Sequence, residues 1–177
     1  GLEAKKLETL RRGALLHDLG KIGIPSSVLD KPGELSQQEY RLIQEHSIIG
    51  ARILEPIGTF WDVLPIVRNH HERYDGNGYP DGLKGSRIPF LVRILTVADA
   101  FDAMVSDRPY RRCVRRLEAI ETLKVYGGIQ FDPEVVQVFA YLADSCPQDL
   151  GIRDERNTGQ DFIPLNTQLR RSSDASL

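Results

Sequence analysis

The sequence has few of the features that mark specialised classes of protein. It contains only two cysteines, Cys113 and Cys146, among 177 residues, and one pair at this separation matches neither a disulfide framework nor a zinc-binding pattern. Two isolated thiols are typical of a protein that works in a reducing, cytoplasmic setting. No apolar run approaches the ~20 residues that a membrane-spanning helix needs, so we expect no membrane segment in this chain.

The sequence also lacks an excess of charge of either sign. Lysine and arginine number 23, aspartate and glutamate 25, and the formal net charge is −2. A nearly neutral chain has no global basic field, so we expect no binding to a nucleic-acid polymer. The one dense basic run lies between Arg108 and Arg116. With 41% apolar residues and this length, the chain is expected to form one domain with a substantial core.

Helical periodicity dominates what the sequence does contain, and neither a strand pattern nor an internal repeat is evident. Ser36 followed by Glu39 is a capping-box pattern, which predicts the start of a helix. Within that helix, Gly50 marks either a close crossing with another element or a bend. Residues 22–31 and the glycine-rich residues 74–86 are predicted to be loops. The predicted helices cover residues 2–16, 36–54, 60–73, 90–106, 114–126 and 132–143.

All four histidines of the chain belong to one set of candidate metal ligands. Imidazole and carboxylate groups that are widely separated in sequence are what a helical scaffold brings together to bind a divalent metal. The pair His17-Asp18 is weak evidence alone, because a His-Asp pair usually makes only a hydrogen bond or a helix cap. The set comprises His17, Asp18, His46, His70, His71 and Asp99.

Three positions in this set carry a physical expectation of their own. Asp99 lies in an apolar helix, where burial of an unpaired carboxylate is costly, so a metal or another cation is expected beside it. His70 and His71 are adjacent, and adjacent side chains on a helix point ~100° apart. They can therefore share one site only if the helix ends there or if two metals lie side by side.

These residues stand within longer motifs that occur in a fixed order. The motifs are HDLGK at residues 17–21, HHERYDGNGYP at 70–80, Ile88-Pro89, VADAFDAM at 97–104 and RPYR at 108–111. In this order they resemble the HD-GYP family of cyclic di-GMP phosphodiesterases, part of the HD superfamily of metal-dependent phosphohydrolases. The resemblance implies an all-α fold, an HD-domain helical bundle with a glycine-rich loop at residues 74–86, here called the GYP loop. It also implies an HD-GYP domain over residues 1–146 and a partly irregular C-terminal extension over 147–177.

The resemblance assigns the six candidate ligands to two metal ions. His17, Asp18 and Asp99 would bind the first ion. Asp18 would bridge to the second ion, which the other three histidines would bind. Histidine and carboxylate ligands without cysteine suit iron or manganese best, with zinc, nickel or cobalt as alternatives. The resemblance implies two or three divalent ions in all.

Further residues are assigned to catalysis and to the substrate. Lys21 would bind the scissile phosphate or protonate the leaving alkoxide, so Asp18 and Lys21 are the candidate catalytic pair. Arg108 and Arg111 would grip phosphate with their guanidinium groups, whereas the other arginines of that run are expected to be solvated. Tyr79 in the GYP loop would touch a ligand phosphate or stack on guanine, and the same exposed loop would alternatively dock a partner protein.

The predicted function is therefore a metal-dependent phosphodiesterase that hydrolyses cyclic di-GMP to pGpG, GMP or both, in bacterial two-component signalling. The alternative is a non-catalytic cyclic di-GMP sensor, or a docking module that binds a diguanylate cyclase (GGDEF) domain through the GYP loop. A generic HD phosphohydrolase is disfavoured by Gly78-Tyr79-Pro80 and by Arg108 and Arg111. An upstream sensor or receiver domain is expected. Because the family has a further metal-binding histidine ahead of the HD pair, we expect this domain to be N-terminally truncated, with an impaired first metal site.

Overall fold

The computed structural model describes residues 1–106 and 114–145, and every regular element within these ranges is helical. Short 3-10 turns lie at Leu19–Gly23, Gly58–Phe60 and Gly85–Arg87. The predicted all-α fold is confirmed. In this part of the chain no helix has both the length and the apolar character needed to cross a membrane. The α-helices are α1 (Ala4–Leu16), α2 (Ser26–Leu29), α3 (Gln37–Leu54), α4 (Leu64–Asn69), α5 (Phe90–Val105), α6 (Arg116–Val125) and α7 (Pro133–Ser145).

Several predicted features lie outside the described residues. Among them are the two phosphate-binding candidates of the basic run, both cysteines and the C-terminal extension. The residues and range concerned are Arg108, Arg111, Cys113, Cys146 and 147–177.

Helix α3 starts as its sequence predicts. The Ser36 hydroxyl accepts a hydrogen bond from the Glu39 backbone N–H at 3.3 Å, and the Glu39 carboxylate accepts from the Ser36 N–H at 2.7 Å. These two bonds satisfy backbone donors that the first helical turn leaves without a partner. The capping-box prediction is confirmed.

Helix α4 is much shorter than the predicted helix over residues 60–73. Pro65 stands in its first turn, and since proline has no N–H and clashes with the preceding turn, the helix cannot extend far upstream of it. His70 is the C-terminal cap, so His70 and His71 lie where the helix ends. The predicted loop over residues 22–31 was also wrong in part, because α2 forms a single helical turn there. One turn is too short to produce a periodic pattern.

Helix α4 is packed against α1, α3 and α5, so its end lies inside the bundle. Val63, Ile66 and Val67 of this segment are almost fully buried. Ile66 shares one apolar cluster with the first half of α5, and a second apolar cluster joins α5 to α6 and α7 around Val97 and Leu123. The two clusters hold α5 between the two halves of the described fold.

A glycine pair sets the approach of the turn after α1 to α3. A Cβ atom placed on Gly20 would lie 1.8 Å from the carbonyl oxygen of His46, and one on Gly50 would lie 2.9 Å from Val67 Cγ1. Helix α3 runs through Gly50 without a break. Gly50 therefore marks a close crossing and not a bend, and the crossing brings the HDLGK turn against the helix that carries His46.

We expect Gly20→Ala to lower the free energy of unfolding by on the order of 3 kcal/mol, because its methyl group would collide with backbone atoms of α3 that cannot rotate away. Chemical denaturation with urea measures this loss. Gly58→Ala is the matched control, since a Cβ atom there has no heavy atom within 4 Å. An equal loss in both variants would mean that the close crossing is not the cause.

Candidate metal centre

The six predicted ligands come from four helices and meet in one region. His17 follows the last residue of α1, His46 lies within α3, and His70 and His71 lie at the end of α4. The Nε2 atoms of His46 and His70 are 3.1 Å apart, and the ring centroids of His46 and His71 are 5.0 Å apart. The structure thus brings together all four histidines of the chain.

The two aspartates lie at one side of this histidine cluster. Asp18 places Oδ2 at 3.4 Å from His17 Nε2 and Oδ1 at 3.5 Å from His46 Nε2. Its carboxylate therefore lies between histidines of different helices, as a bridging ligand would. Asp99, on α5, places Oδ1 at 3.7 Å from His17 Nε2.

The ligand atoms form two overlapping groups. In each group, one donor atom per residue lies within 4.8 Å of the others: His46 with His70 and His71, and His17 with Asp18 and His70. The resemblance assigns His70 to the second ion alone, whereas the structure puts it beside both groups. Neither group, as found among the described residues, includes Asp99.

Backbone carbonyls orient three of the four imidazoles. The Nδ1 atoms of His17, His46 and His70 lie 2.7, 2.6 and 2.9 Å from the carbonyl oxygen three residues earlier in each case. A carbonyl can only accept, so Nδ1 carries the proton in each ring, and the Nε2 lone pair of each neutral ring faces the cluster. Metal-binding histidines in proteins are oriented by this kind of hydrogen bond.

This orientation makes the 3.1 Å separation of His46 Nε2 and His70 Nε2 chemically informative. Both atoms present lone pairs, so the contact is not a hydrogen bond between neutral rings. Two facing lone pairs at this separation repel each other unless a cation lies against both. The donor set therefore fits a divalent metal ion.

Burial favours the neutral form of the His46, His70 and His71 imidazoles. It lowers the pKa of His70 to about 4 and that of His71 to about 2, with the neighbouring histidines adding to the shift. Burial also lowers the pKa of His46. Burial acts to raise the pKa of Asp18, but the hydrogen bond from Lys21, 2.6 Å from Nζ to Oδ2, and nearby positive charge hold it below its ordinary value. Neutral imidazoles beside an ionised carboxylate are ready to bind a cation without first losing protons.

Tyr79 of the GYP loop lies against this cluster. Its ring stacks on His71 with the centroids 4.8 Å apart and the planes inclined by 23°. Burial raises the pKa of Tyr79, so its phenol is neutral at physiological pH. The resemblance implies phosphate contact, guanine stacking or partner docking for this loop, and its contact with a candidate ligand was not predicted.

Glu72 is a residue to which the sequence analysis gave no role. It is only 1% exposed, and its carboxylate accepts hydrogen bonds from the backbone N–H groups of Asp81 at 2.7 Å and Leu83 at 2.9 Å. A signal was present in the sequence, because an acidic residue directly after two candidate ligands and before a glycine-rich loop can satisfy loop amides. Its burial was not readable from the pattern.

The chain is similar in sequence to known proteins. A sequence model described as the HD domain matches residues 1–135. The chain is 42% identical over 154 residues to RpfG, a cyclic di-GMP phosphodiesterase response regulator of Xanthomonas campestris. The match covers 84% of this chain and 41% of that protein. It is 41% identical over 125 residues to a 3′3′-cGAMP-specific phosphodiesterase of Vibrio cholerae, with 71% of this chain and 27% of that protein covered.

Two solved structures share the fold. A V. cholerae cyclic GMP-AMP phosphodiesterase superposes with a TM-score of 0.65 at 24% identity, over 87% of this chain and 42% of that one. An HDG"Y"P protein from Bdellovibrio bacteriovorus gives a TM-score of 0.64 at 26% identity, over 81% and 46%. The chain thus spans less than half the length of these relatives.

We expect the metal-free protein to lose stability as the pH falls from about 6.5 to about 4. Unfolded histidine takes up a proton near 6.5, whereas folded His70 does so only near 4, so the unfolded state binds more protons throughout this window. For His70 alone the loss is on the order of 3 kcal/mol. Urea unfolding at several pH values, with a chelator present, measures it. In His70→Asn the free energy of unfolding should depend less steeply on pH. An unchanged slope would mean that His70 is not the group responsible.

Proposed function

The chain belongs to the HD domain family, in its HD-GYP branch, and from that premise we propose that it is a metal-dependent phosphodiesterase acting on cyclic di-GMP. The observation that carries the proposal is the pair of Nε2 lone pairs, on His46 and His70, that face each other at 3.1 Å. HD domains bind divalent metals, and this chain has two groups of side chains that would hold them.

The proposed ligands follow the two groups. One ion would be held by His46, His70 and His71, and the other by His17 and Asp18, with Asp99 and His70 beside them. Asp18 is proposed as the bridge. Iron or manganese, as two or three ions, is proposed because the donors are nitrogen and oxygen with no thiolate. Bound divalent ions would supply Lewis acidity, which activates water at neutral pH and offsets charge on a phosphate.

The side chains around the ligands would bind the substrate and move protons. Lys21 holds three N–H donors at Nζ, 2.6 Å from Asp18 Oδ2, and would either grip the scissile phosphate or protonate the leaving oxygen. Tyr79, as a neutral phenol, would donate a hydrogen bond to a phosphate oxygen. For Arg108 and Arg111 the proposal rests on the RPYR motif, and they would bind a phosphate group of the substrate.

The product would be pGpG, or GMP after a second cleavage. A second substrate, 3′3′-cGAMP, is favoured by the 41% identity to a V. cholerae phosphodiesterase specific for it. Both are cyclic dinucleotides with the same backbone, so the metal centre would treat them alike and contacts to the bases would discriminate. Assays with each dinucleotide at equal enzyme and metal concentrations separate the two by the ratio of their kcat/KM values.

The signalling context is also part of the proposal. The X. campestris relative is named a response regulator, and we expect this domain, proposed to span residues 1–146, to act with an upstream sensor or receiver domain. The alternative, a non-catalytic sensor or a module that docks a GGDEF domain through the GYP loop, has the exposed Asn77 at its loop tip in its favour. Binding of cyclic di-GMP without turnover in metal-loaded protein would favour that alternative.

We expect Asp18→Asn to lose metal and hydrolysis together, with kcat reduced at least about 100-fold, because the proposed bridge loses its charge. Arg111→Ala should instead raise KM about 10–100-fold, because a charge-assisted hydrogen bond to the substrate is lost. Its metal content should not change. Elemental analysis and steady-state kinetics on both variants separate the roles. If Arg111→Ala also emptied the metal site, its assignment to phosphate would be wrong.

We expect Lys21→Gln to lower kcat by about 100-fold or more, the usual effect of removing a general acid, while the metal content at neutral pH is retained. Lys124→Gln is the matched control, because Lys124 makes the same kind of i,i+3 pair with Glu121 at 2.8 Å, on an exposed surface of α6. Kinetics and elemental analysis are again the measurements. Equal activity of the two variants would remove Lys21 from the mechanism.

A further inference from the structure

His71 is held differently from the other histidines of the cluster. The rings of His17, His46 and His70 are each anchored by a carbonyl oxygen, whereas no described residue makes a hydrogen bond to the ring of His71. Its ring contacts are with other rings, His46 at 5.0 Å, His70 at 4.1 Å and Tyr79 at 4.8 Å between centroids. A metal ligand without a hydrogen bond of its own needs another means of orientation.

Tyr79 supplies a flat surface against His71. The two planes are inclined by only 23°, so rotation of the imidazole about its Cβ–Cγ bond would push it into the phenol ring. The Tyr79 backbone N–H also donates to the His71 carbonyl at 3.3 Å. The GYP loop therefore contacts His71 through both its ring and its backbone.

Glu72 fixes the part of the GYP loop that carries Tyr79. Each carboxylate oxygen accepts one loop amide, Oε1 from Asp81 at 2.7 Å and Oε2 from Leu83 at 2.9 Å. A carboxylate that is 1% exposed is tolerated only where such bonds satisfy it, and hydrogen bonds to an ionised acceptor are stronger than neutral ones. Since Glu72 directly follows His71, the candidate ligand and the anchor of the loop share one short segment.

Gly78 shows independently how closely the loop returns to this segment. A Cβ atom on Gly78 would lie 2.2 Å from the Arg73 nitrogen, 2.5 Å from Glu72 Cα and 2.6 Å from the His71 carbonyl oxygen. Only glycine fits at this separation. The residue before Tyr79 is thus held against the backbone that carries His71, and Glu72 holds the residues that follow.

We propose that Glu72 is a positioning residue of the metal centre: by binding the Asp81 and Leu83 amides, it keeps the Tyr79 ring stacked on His71 and so orients that imidazole for the metal. Tyr79 then has a role apart from any contact with substrate. The inference rests on the proposed function only in taking His71 as a ligand.

The test is a titration with Co²⁺ alone, followed by its visible absorption and by competition with a chelator. Tyr79→Phe keeps the stacked ring and should bind Co²⁺ with an affinity close to that of the unmodified protein. Tyr79→Ala should bind about 10–100-fold more weakly, as is usual when the support of a metal ligand is removed. Glu72→Gln should also weaken binding, because an amide NH₂ would face one loop N–H. The double variant, with Glu72→Gln and Tyr79→Ala combined, should bind Co²⁺ little more weakly than the weaker of the two single variants.

Thr9→Val is the control for general destabilisation, since the Thr9 hydroxyl bonds to Asp62 at 2.6 Å, apart from the GYP loop. It should lower the melting temperature and leave Co²⁺ affinity unchanged. Failure of the unmodified protein to bind Co²⁺ would overturn the proposed function itself. Unaltered affinity in Tyr79→Ala would overturn this inference alone. If Glu72→Gln did not fold, Tyr79→Ala and Tyr79→Phe would decide: a loss in the first that is absent in the second supports the proposal.

Discussion

The contact between the Nε2 lone pairs of His46 and His70, 3.1 Å apart, is unfavourable by itself, and much of the described structure serves to maintain it. Carbonyls of Ile43 and Val67 bind the Nδ1 protons, so neither ring can turn its N–H toward the other. Both rings are buried, so bulk water cannot separate them. The Gly20 crossing holds the turn that carries Asp18 against α3, where its carboxylate lies 3.5 Å from His46 Nε2.

The early end of α4 is what lets consecutive histidines serve one centre. In a continuing helix their side chains would diverge by ~100°, but α4 ends at Asn69, and the chain after His71 turns back as the GYP loop. That loop is fixed at Glu72 and Gly78, within a few residues of the ligands. The same segment therefore carries two candidate ligands, their support and the aromatic ring that covers one of them.

The sequence predicted which side chains meet but not how they are supported. The candidate ligands could be picked out because histidines and aspartates are chemically distinct and because their motifs stand in a recognisable order. The capping box at Ser36 was found because its hydrogen bonds are local. The short α4, the position of His70 beside both groups and the burial of Glu72 depend on where chain segments pack, which residue patterns do not encode. The contact of Tyr79 with substrate is what the resemblance implies, whereas its stacking on His71 follows from the return of the loop.

A centre of this kind couples metal binding to the stability of the fold. Neutral imidazoles that are buried with facing lone pairs make the native state less stable, and the cost grows as the pH falls toward their lowered pKa values. A divalent cation held by these side chains would offset that repulsion, and with no affinity for the unfolded chain it would stabilise the fold by about 2.7 kcal/mol at 100 times its dissociation constant. Under the proposed function, Lys21 would work in the opposite direction, because its Nζ lies 2.6 Å from Asp18 Oδ2 and would give up part of that contact to a metal held by the carboxylate. Its Nζ would then offer N–H donors to a phosphate oxygen of the proposed substrate.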